Sequence, residues 1–395
     1  KSQWKYKAVE TEKEALEGAD FVVISILPGT FDEMESDVHT PEKYNIYQSV
    51  GDTAGPGGIL RALRTIPMFE EIAENIKKYC PDAWVINYTN PMTMCVKTLY
   101  KVFPEIKAFG CCHEVFGTQK LLVNALEDIK GVKDVKREDI KVNVVGVNHF
   151  TWLTKAQYKD IDIFPVYREF AEKYKDNGFV KKSDENWMNK YFSCSEKVKI
   201  DLFLRYGSIA AAGDRHLAEF CPGDWYLKDK ETVDKWGFAL TPVSWRKGDL
   251  EKRLERSEKL YSGEEKFELK ETGEECVQQI RALLGLGDLV TNVNIPNYGQ
   301  IPNLPIGAVV ETNACFRANS LNPVFAGNIP QAIYPLISRV CGEQEQVVDC
   351  ALNRDLDGVF NAFAADPNMC ISVSDARKLF DEMVDNTKEY LKMYF

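Results

Sequence analysis

The sequence predicts an α/β fold in which a doubly wound parallel sheet over residues 1–145 is followed by an α+β portion over residues 146–395. Three observations carry this. Short apolar runs alternate with helical patterns along the first 150 residues, which is how parallel sheets are wound. The runs are nearly continuous rather than alternating, as strands buried on both faces should be. After about residue 140 the texture changes to long helical and irregular stretches.

In chain order, "FVVISIL" (Phe21 to Leu27), "AWVINYT" (Ala83 to Thr89) and "IKAFGCC" (Ile106 to Cys112) are strand candidates bounded by Gly, Pro or Asp. Between the first two, Ile59, Leu63, Ile66, Phe69, Ile72 and Ile76 recur at three- and four-residue steps. That stripe predicts a helix packed on the sheet. No G-x-G turn opens the chain, so either the first strand of such a sheet precedes Lys1 or no dinucleotide binds. "IKVNVVGVNHFTWLTKA" reads as one long strand leaving the first portion. The charged run from Arg253 to Glu275 predicts a solvated helix and loop. "TNVNIPNYGQIPNLP" is too polar for a core strand and too apolar for a linker, which suggests a segment lining a site. "SDARKLFDEMVDNTKEYLKMYF" predicts a Ser-capped amphipathic helix with Leu379, Phe380, Met383 and Leu391 inward.

Composition excludes several function classes. The 395 residues are 45% hydrophobic and 28% charged, which allows an ample folded core. A formal net charge of −11 leaves no basic surface for a phosphate backbone, so nucleic acid is not an expected partner. No apolar run approaches the roughly 18 residues that a membrane span needs. The opening "KSQWKYKAVE" has no signal-peptide core. A cytoplasmic protein without a membrane partner is expected. Its eleven cysteines are odd in number and unevenly spaced, which favours reduced thiols over a disulfide framework.

Ligands of open parallel sheets bind at the carboxyl ends of strands. Here those ends read "SILPGT", "NYTNP" and "GCCHE". Of four histidines, His113 lies at such an end, His149 in "GVNHF" and His216 in "GDRHLAEF", while His39 has no such setting. A lone histidine is more often a satisfied structural residue than a ligand, but the joint placement of these three points to a site. Neither C-x-x-C nor H-x-x-x-H occurs. A structural zinc site is therefore disfavoured, and a sparse site with one thiolate and one imidazole stays open beside plain strand-end cysteines at Cys111 and Cys112.

"GDTAGPGGILRALRTIP", "INYTNPM", "GCCHEVFG", "VNVVGVNHFTW", "GDRHLAEF" and "NVNIPNYGQIPNLP", in this order, resemble glycoside hydrolase family 4 through essentially the whole chain. "CCHEVFGTQK" and "GDRHLAEF" are most similar to its α-galacturonidase branch, whose substrates are sugar acids. They are less similar to the phosphoglucosidase branch, in which an aspartate tends to follow the metal cysteine. The resemblance implies a Rossmann-like domain whose first βαβ portion, with the glycine-rich turn, would precede Lys1. It implies a C-terminal domain of lactate/malate dehydrogenase type and a homodimer or homotetramer. It also implies NAD and Mn²⁺ or another divalent metal. In the implied chemistry NAD oxidises C3 of the sugar, a base removes the C2 proton, the glycosidic oxygen leaves by elimination, and the steps reverse after water adds.

Carried onto this chain, the resemblance makes Cys112 the metal thiolate, His149 the metal imidazole and Cys111 a packing residue. His113 would be the proton donor, Asp214 the base, and Asp52 a further acid/base or orienting group. Asn90, Arg215, His216 and Arg61 would bind substrate, with Arg64 a further candidate for a sugar carboxylate. Ser25, Pro28, Gly29 and Asn87 would contact the cofactor. An α-glucuronidase or α-galactosidase of the same family, a lactate/malate-type dehydrogenase acting on a sugar acid, and a non-catalytic sugar-acid binder are the alternatives.

Overall fold

The computed structural model describes residues 5–180, 189–192, 194–240, 242–268 and 273–395. Its strands are β1 (Phe21–Ile24), β2 (Trp84–Asn87), β3 (Lys107–Gly110), β4 (Lys141–Val147), β5 (Phe150–Tyr158), β6 (Ile161–Asp162), β7 (Ile209–Ala210), β8 (Leu289–Pro296), β9 (Val309–Arg317) and β10 (Ser320–Pro323).

The three expected strands pair in parallel, Val22 opposite Val85 and Ile86 opposite Phe109. The sheet then continues as β1-β2-β3-β8-β9-β10, with β8, β9 and β10 antiparallel. It is therefore mixed, and its second half comes from late in the chain. Gly110 marks the junction: a Cβ there would fall 2.4 Å from the Met92 sulfur and 3.1 Å from Asn294 Cβ. No side chain fits where β3 meets β8. Val85, Ile86, Ala108 and Phe109 are buried, as continuous apolar runs require, but β1 stands at the sheet edge and leaves Val23 51% exposed.

The predicted stripe is one face of helix Gly55–Tyr79, with Ile59, Leu63, Ile66, Phe69 and Ile76 fully buried and Ile72 partly so. The Asn/Pro segment corrects the sequence reading, because Thr291–Pro296 forms the buried end of β8 between β3 and β9. Asn292 and Asn297 survive burial by bonding inward, Asn292 Nδ2 to Glu311 Oε1 at 2.7 Å and Asn297 Nδ2 to the Ile301 carbonyl at 2.9 Å.

The long strand expected at Ile140 is instead a hairpin. β4 and β5 pair antiparallel from Lys141↔Gln157 to Val147↔Phe150, turning at Asn148 and His149, whose peptide bond is cis. The apolar run hid the turn because it contains no Gly or Pro between Val147 and Phe150. The expected boundary at 145/146 falls inside β4. β6 and β7 complete this second sheet.

Helix Val243–Ser262 is solvated as its charge predicts, with Val243 its one buried residue. The C-terminal helix spans Val373–Asn386 with Leu379, Phe380 and Met383 buried, and Leu391 is buried beyond its end. Its cap is Ser372, two residues before the serine that opens the quoted segment, and its side chain accepts from Asp375 N. No described helix is long and apolar enough to cross a membrane. All eleven cysteines are free thiols.

Candidate active site

The site forms where the ends of β2 and β3 meet the β4–β5 hairpin turn, the residues after β7, and the loop entering helix Gly55–Tyr79. That loop carries Asp52. Glu219 Oε1 accepts from Val50 N (2.7 Å) and Gly51 N (2.9 Å), Asp366 Oδ2 accepts from Gly55 N (3.1 Å), and Gln48 Oε1 accepts from Gly57 N (2.8 Å). The "GPGG" signature follows from close backbone approach. A Cβ on Gly58 would fall 2.4 Å from the Thr53 carbonyl carbon, and one on Gly57 would fall 2.8 Å from the Asp37 oxygen.

Asp52, His149 and His216 each offer a ligand atom, all within 4.8 Å of one another. The two imidazoles stack with centroids 4.1 Å apart. Thr53 Oγ1 donates to Asp52 Oδ1 (2.7 Å) and lies 3.2 Å from His149 Nδ1. Asn90 Nδ2 donates to Asp52 Oδ2 (3.3 Å), and Arg61 Nε donates to the Asn90 carbonyl (3.1 Å). Burial would raise the Asp52 carboxyl, but His216, Arg61 and His149 together with the Thr53 hydrogen bond hold it well below the usual range. Burial, with His216 beside it, pushes His149 down to about 3, so its imidazole is neutral at pH 7 and able to donate to a metal.

Cys112 lies on the adjoining wall. Its thiol is raised well above the ordinary value by burial and by Glu311 and Glu114, and lowered in part by the Asn148 side chain. Cys111 is also buried, its Sγ 3.2 Å from Gln279 Oε1, in an apolar cluster with Ile86 and Phe109.

Two acids here were missed by the sequence reading. Glu114 accepts from Gly213 N (2.7 Å) through Oε2, and its Oε1 lies 3.6 Å from His216 Nε2. Glu311, on β9, accepts from Asn148 Nδ2 (3.0 Å) and Asn292 Nδ2 (2.7 Å), and Asn292 also reaches the Cys112 carbonyl (3.3 Å). Burial pushes Glu311 up to about 7, with those amides acting against the rise. Glu311 was signalled by a lone acid inside the apolar run "AVVETNACF".

Other expected residues lie elsewhere. His113 caps the N-terminus of helix Glu114–Lys130, is 67% exposed at its side chain, and pairs with Glu274 at 3.0 Å. The structure does not place it in the cluster. Asp214 is fully buried, and its two oxygens accept Val198 N (3.1 Å) and Lys199 N (3.0 Å), closing the first turn of helix Lys197–Tyr206. The expected base is thus a helix cap, its oxygens held by donors that a base would need to be free of. Arg64 is fully committed to buried Asp37 through two nitrogens. Arg215 donates to the Ser49 and Ala239 carbonyls. Arg61 keeps two guanidinium nitrogens without a hydrogen-bond partner among the described residues.

At the end of β1, Ser25 is exposed, Pro28 is buried and Gly29 takes a left-handed φ of 88°. Asn87 is buried, and its amide bonds Thr89 in both directions, donating to the carbonyl and accepting from the nitrogen at 3.0 Å each. It therefore shapes the strand end.

A family model described as Family 4 glycosyl hydrolase matches residues 1–128, and one for the family's C-terminal domain matches residues 144–369. The chain belongs to glycoside hydrolase family 4. Its relatives include the α-galacturonidase of Thermoanaerobacterium saccharolyticum, 67% identical over 99% of this chain and 84% of that protein. The α-galacturonidase of Bacillus subtilis is 52% identical over 97% and 84% respectively. A crystal structure described as putative glucosidase lplD from Bacillus subtilis superposes with a TM-score of 0.93 at 51% identity, covering 96% of this chain and 87% of that one. A 6-phospho-α-glucosidase from gut microorganisms, solved with NAD and Mn²⁺, shares the family 4 fold at a TM-score of 0.78 and 21% identity, over 96% and 84%.

Proposed function

We propose that this family 4 glycosidase is an α-galacturonidase that cleaves α-linked galacturonides with NAD and a divalent cation, Mn²⁺ foremost. The observation that carries the substrate is the 67% identity to an α-galacturonidase over nearly the whole chain.

The donor set suits a divalent cation. His149 and Asp52 bring imidazole and carboxylate together, the Cys112 thiol meets the Asn148 side chain beside them, and Asn90 Oδ1, Asn148 Oδ1 and His216 Nδ1 are buried without partners. Orphaned acceptors around a neutral imidazole are what a cation and a polyhydroxyl ring would satisfy. The exposed Ser25 backbone and left-handed Gly29 at the carboxyl end of β1 suit part of a dinucleotide. When bound, NAD would take and return the C3 hydride and the cation would polarise the C2 and C3 oxygens.

The chain's own residues then position the sugar and move protons. Asn90, held by Arg61 and Asp52, presents Oδ1 to a ring hydroxyl. Glu114, near Nε2 of His216, favours the proton on that nitrogen and leaves Nδ1 as the basic atom for the C2 proton. Glu311 holds the Asn148 turn and, through Asn292, the Cys112 backbone. An oligomer, dimeric or tetrameric, belongs to the same reading, supported by exposed Val290, Phe325, Leu284 and Leu286.

The test is hydrolysis of α-1,4-digalacturonate against 4-nitrophenyl α-galactoside, with NAD, Mn²⁺ and a reductant present. Preference for the uronide is expected, with loss of a C2 deuterium label to water; a neutral-sugar preference or full retention of the label would overturn the reading.

A further inference from the structure

Three guanidinium groups converge on the Asp52 loop. Arg61 and Arg215 are buried and Arg246 is partly buried; the facing acids are Asp52, Glu219 and Asp249, the last of which is paired with Arg253. Arg215 is held by the Ser49 and Ala239 carbonyls. Arg246 has no ion pair or hydrogen bond among the described residues, although its Nε is shut off from solvent. Burying a cationic donor with no acceptor is costly unless a ligand completes it.

The position of Arg246 is fixed from both sides. It stands in the first turn of helix Val243–Ser262, whose start bonds to His39 Nε2 through Val243 N (3.3 Å). Lys247, next in sequence, pairs with Asp32 and Glu35. The Arg246 guanidinium lies 5.7 Å from the Phe192 ring, on which Arg215 also rests at 4.8 Å. Of the charges that act on it, Asp52 and then Arg61 are the strongest. Through the Phe192 ring that it shares with Arg215, which bonds the Ser49 carbonyl, Arg246 stands beside the Asp52 loop, where its fork and that of Arg61 meet one carboxylate, Asp52, already occupied by Thr53 and Asn90. The excess is one positive charge, which calls for an anionic ligand.

We infer that Arg246 is the second arm of an arginine clamp, opposite Arg61, that grips the carboxylate of the substrate sugar and sets the preference for an acid over a neutral sugar. The clamp rests on the galacturonidase reading and deepens it. A planar fork beside the Phe192 ring is suited to two parallel hydrogen bonds to a carboxylate, which an ammonium cannot make.

The experiment uses the holoenzyme with NAD and Mn²⁺ and compares kcat/KM for α-1,4-digalacturonate with that for 4-nitrophenyl α-galactoside. Arg246→Ala should lower the uronide-to-galactoside ratio by about 30-fold or more, chiefly through KM. Arg246→Lys should restore part of the ratio yet remain about tenfold low, since one charge-assisted hydrogen bond is lost. A purely structural Arg246 would lower both substrates by the same factor, and an unchanged ratio in both variants overturns the clamp. Should the alanine variant fail to fold, the lysine variant decides alone by the same criterion. A wild-type enzyme without uronide preference would instead sink the galacturonidase reading, and the clamp with it; preference retained in both variants removes the clamp only.

Discussion

Among the described residues, two groups of three side chains bring ligand-type atoms within 4.8 Å of one another: Asp52, His149 and His216, and Cys194, Glu196 and Asp214. By residue type either would pass for a metal site. The second is answered from within. Asp214 closes a helix N-terminus with both oxygens, and Lys199 pairs with Glu196 at 2.7 Å. The first is surrounded by buried atoms with no partner: His216 Nδ1, Asn90 Oδ1 and Asn148 Oδ1. Capping by Asp214 and the ion pair to Lys199, rather than residue types, separate the brace from the site.

The sharpest way to break this contrast is to remove one donor from each group. His149→Ala should abolish Mn²⁺ binding, seen by paramagnetic resonance or metal analysis, and lower kcat by about a thousandfold, because a Lewis acid supplies several kcal/mol to the transition state. Asp214→Ala should leave Mn²⁺ binding intact and lower Tm. The reverse pattern would exchange the two assignments. The adjacent cysteines divide in the same way: Cys112→Ser should lose Mn²⁺ while Cys111→Ser, whose thiol meets Gln279 in an apolar cluster, keeps it.

A smaller effect belongs to Glu311. It touches no ring atom of the cluster and acts through Asn148 and Asn292. Glu311→Gln turns one of its two acceptors into a donor that faces an asparagine amide, so Mn²⁺ affinity should fall about 10- to 100-fold, as for other outer-shell partners. Unchanged Mn²⁺ affinity with lowered Tm would reduce Glu311 to a strut between β8 and β9.

How far the sequence disclosed this arrangement varies by the kind of signal. The strands at Val85 and Phe109 and the helix at Ile59 to Ile76 were legible because periodicity and continuous apolarity are local. β8 was not, because its Asn292 is made tolerable by Glu311, which lies 19 residues away and is invisible to any local window. The hairpin turn at Asn148 lacked Gly and Pro. Among site residues, His149, His216 and Asp52 were findable from motif positions, yet the choice between His113 and Glu114 depended on which side chain of the pair faces inward. At a helix N-cap that direction is set by tertiary contacts: Glu274 draws His113 outward and Gly213 holds Glu114 inward. Asp214 misled because its chemistry is that of a base and its surroundings are those of a cap.

The subtlest test of the contrast lies in the pH dependence of Asp214. Burial, with Glu196 beside it, pushes its carboxyl from 3.8 up to about 7, while Lys199 and two backbone amides act in the opposite direction. A pKa raised in the folded state gives stability that is fully present below the unfolded value and is lost as pH rises through the folded one. Between pH 4 and 7 the wild type should therefore lose stability from this group at up to about 1.4 kcal/mol per pH unit. Asp214→Asn cannot make that change. The Tm advantage of the wild type over Asp214→Asn should be larger at pH 5 than at pH 8, while kcat for the uronide stays within about tenfold. Scanning calorimetry of both proteins at the two pH values decides it. A gap that widens with pH would mean that Asp214 is ionised and stabilising as it stands, and a kcat loss far beyond tenfold with normal Mn²⁺ binding would return Asp214 to the role of catalytic base.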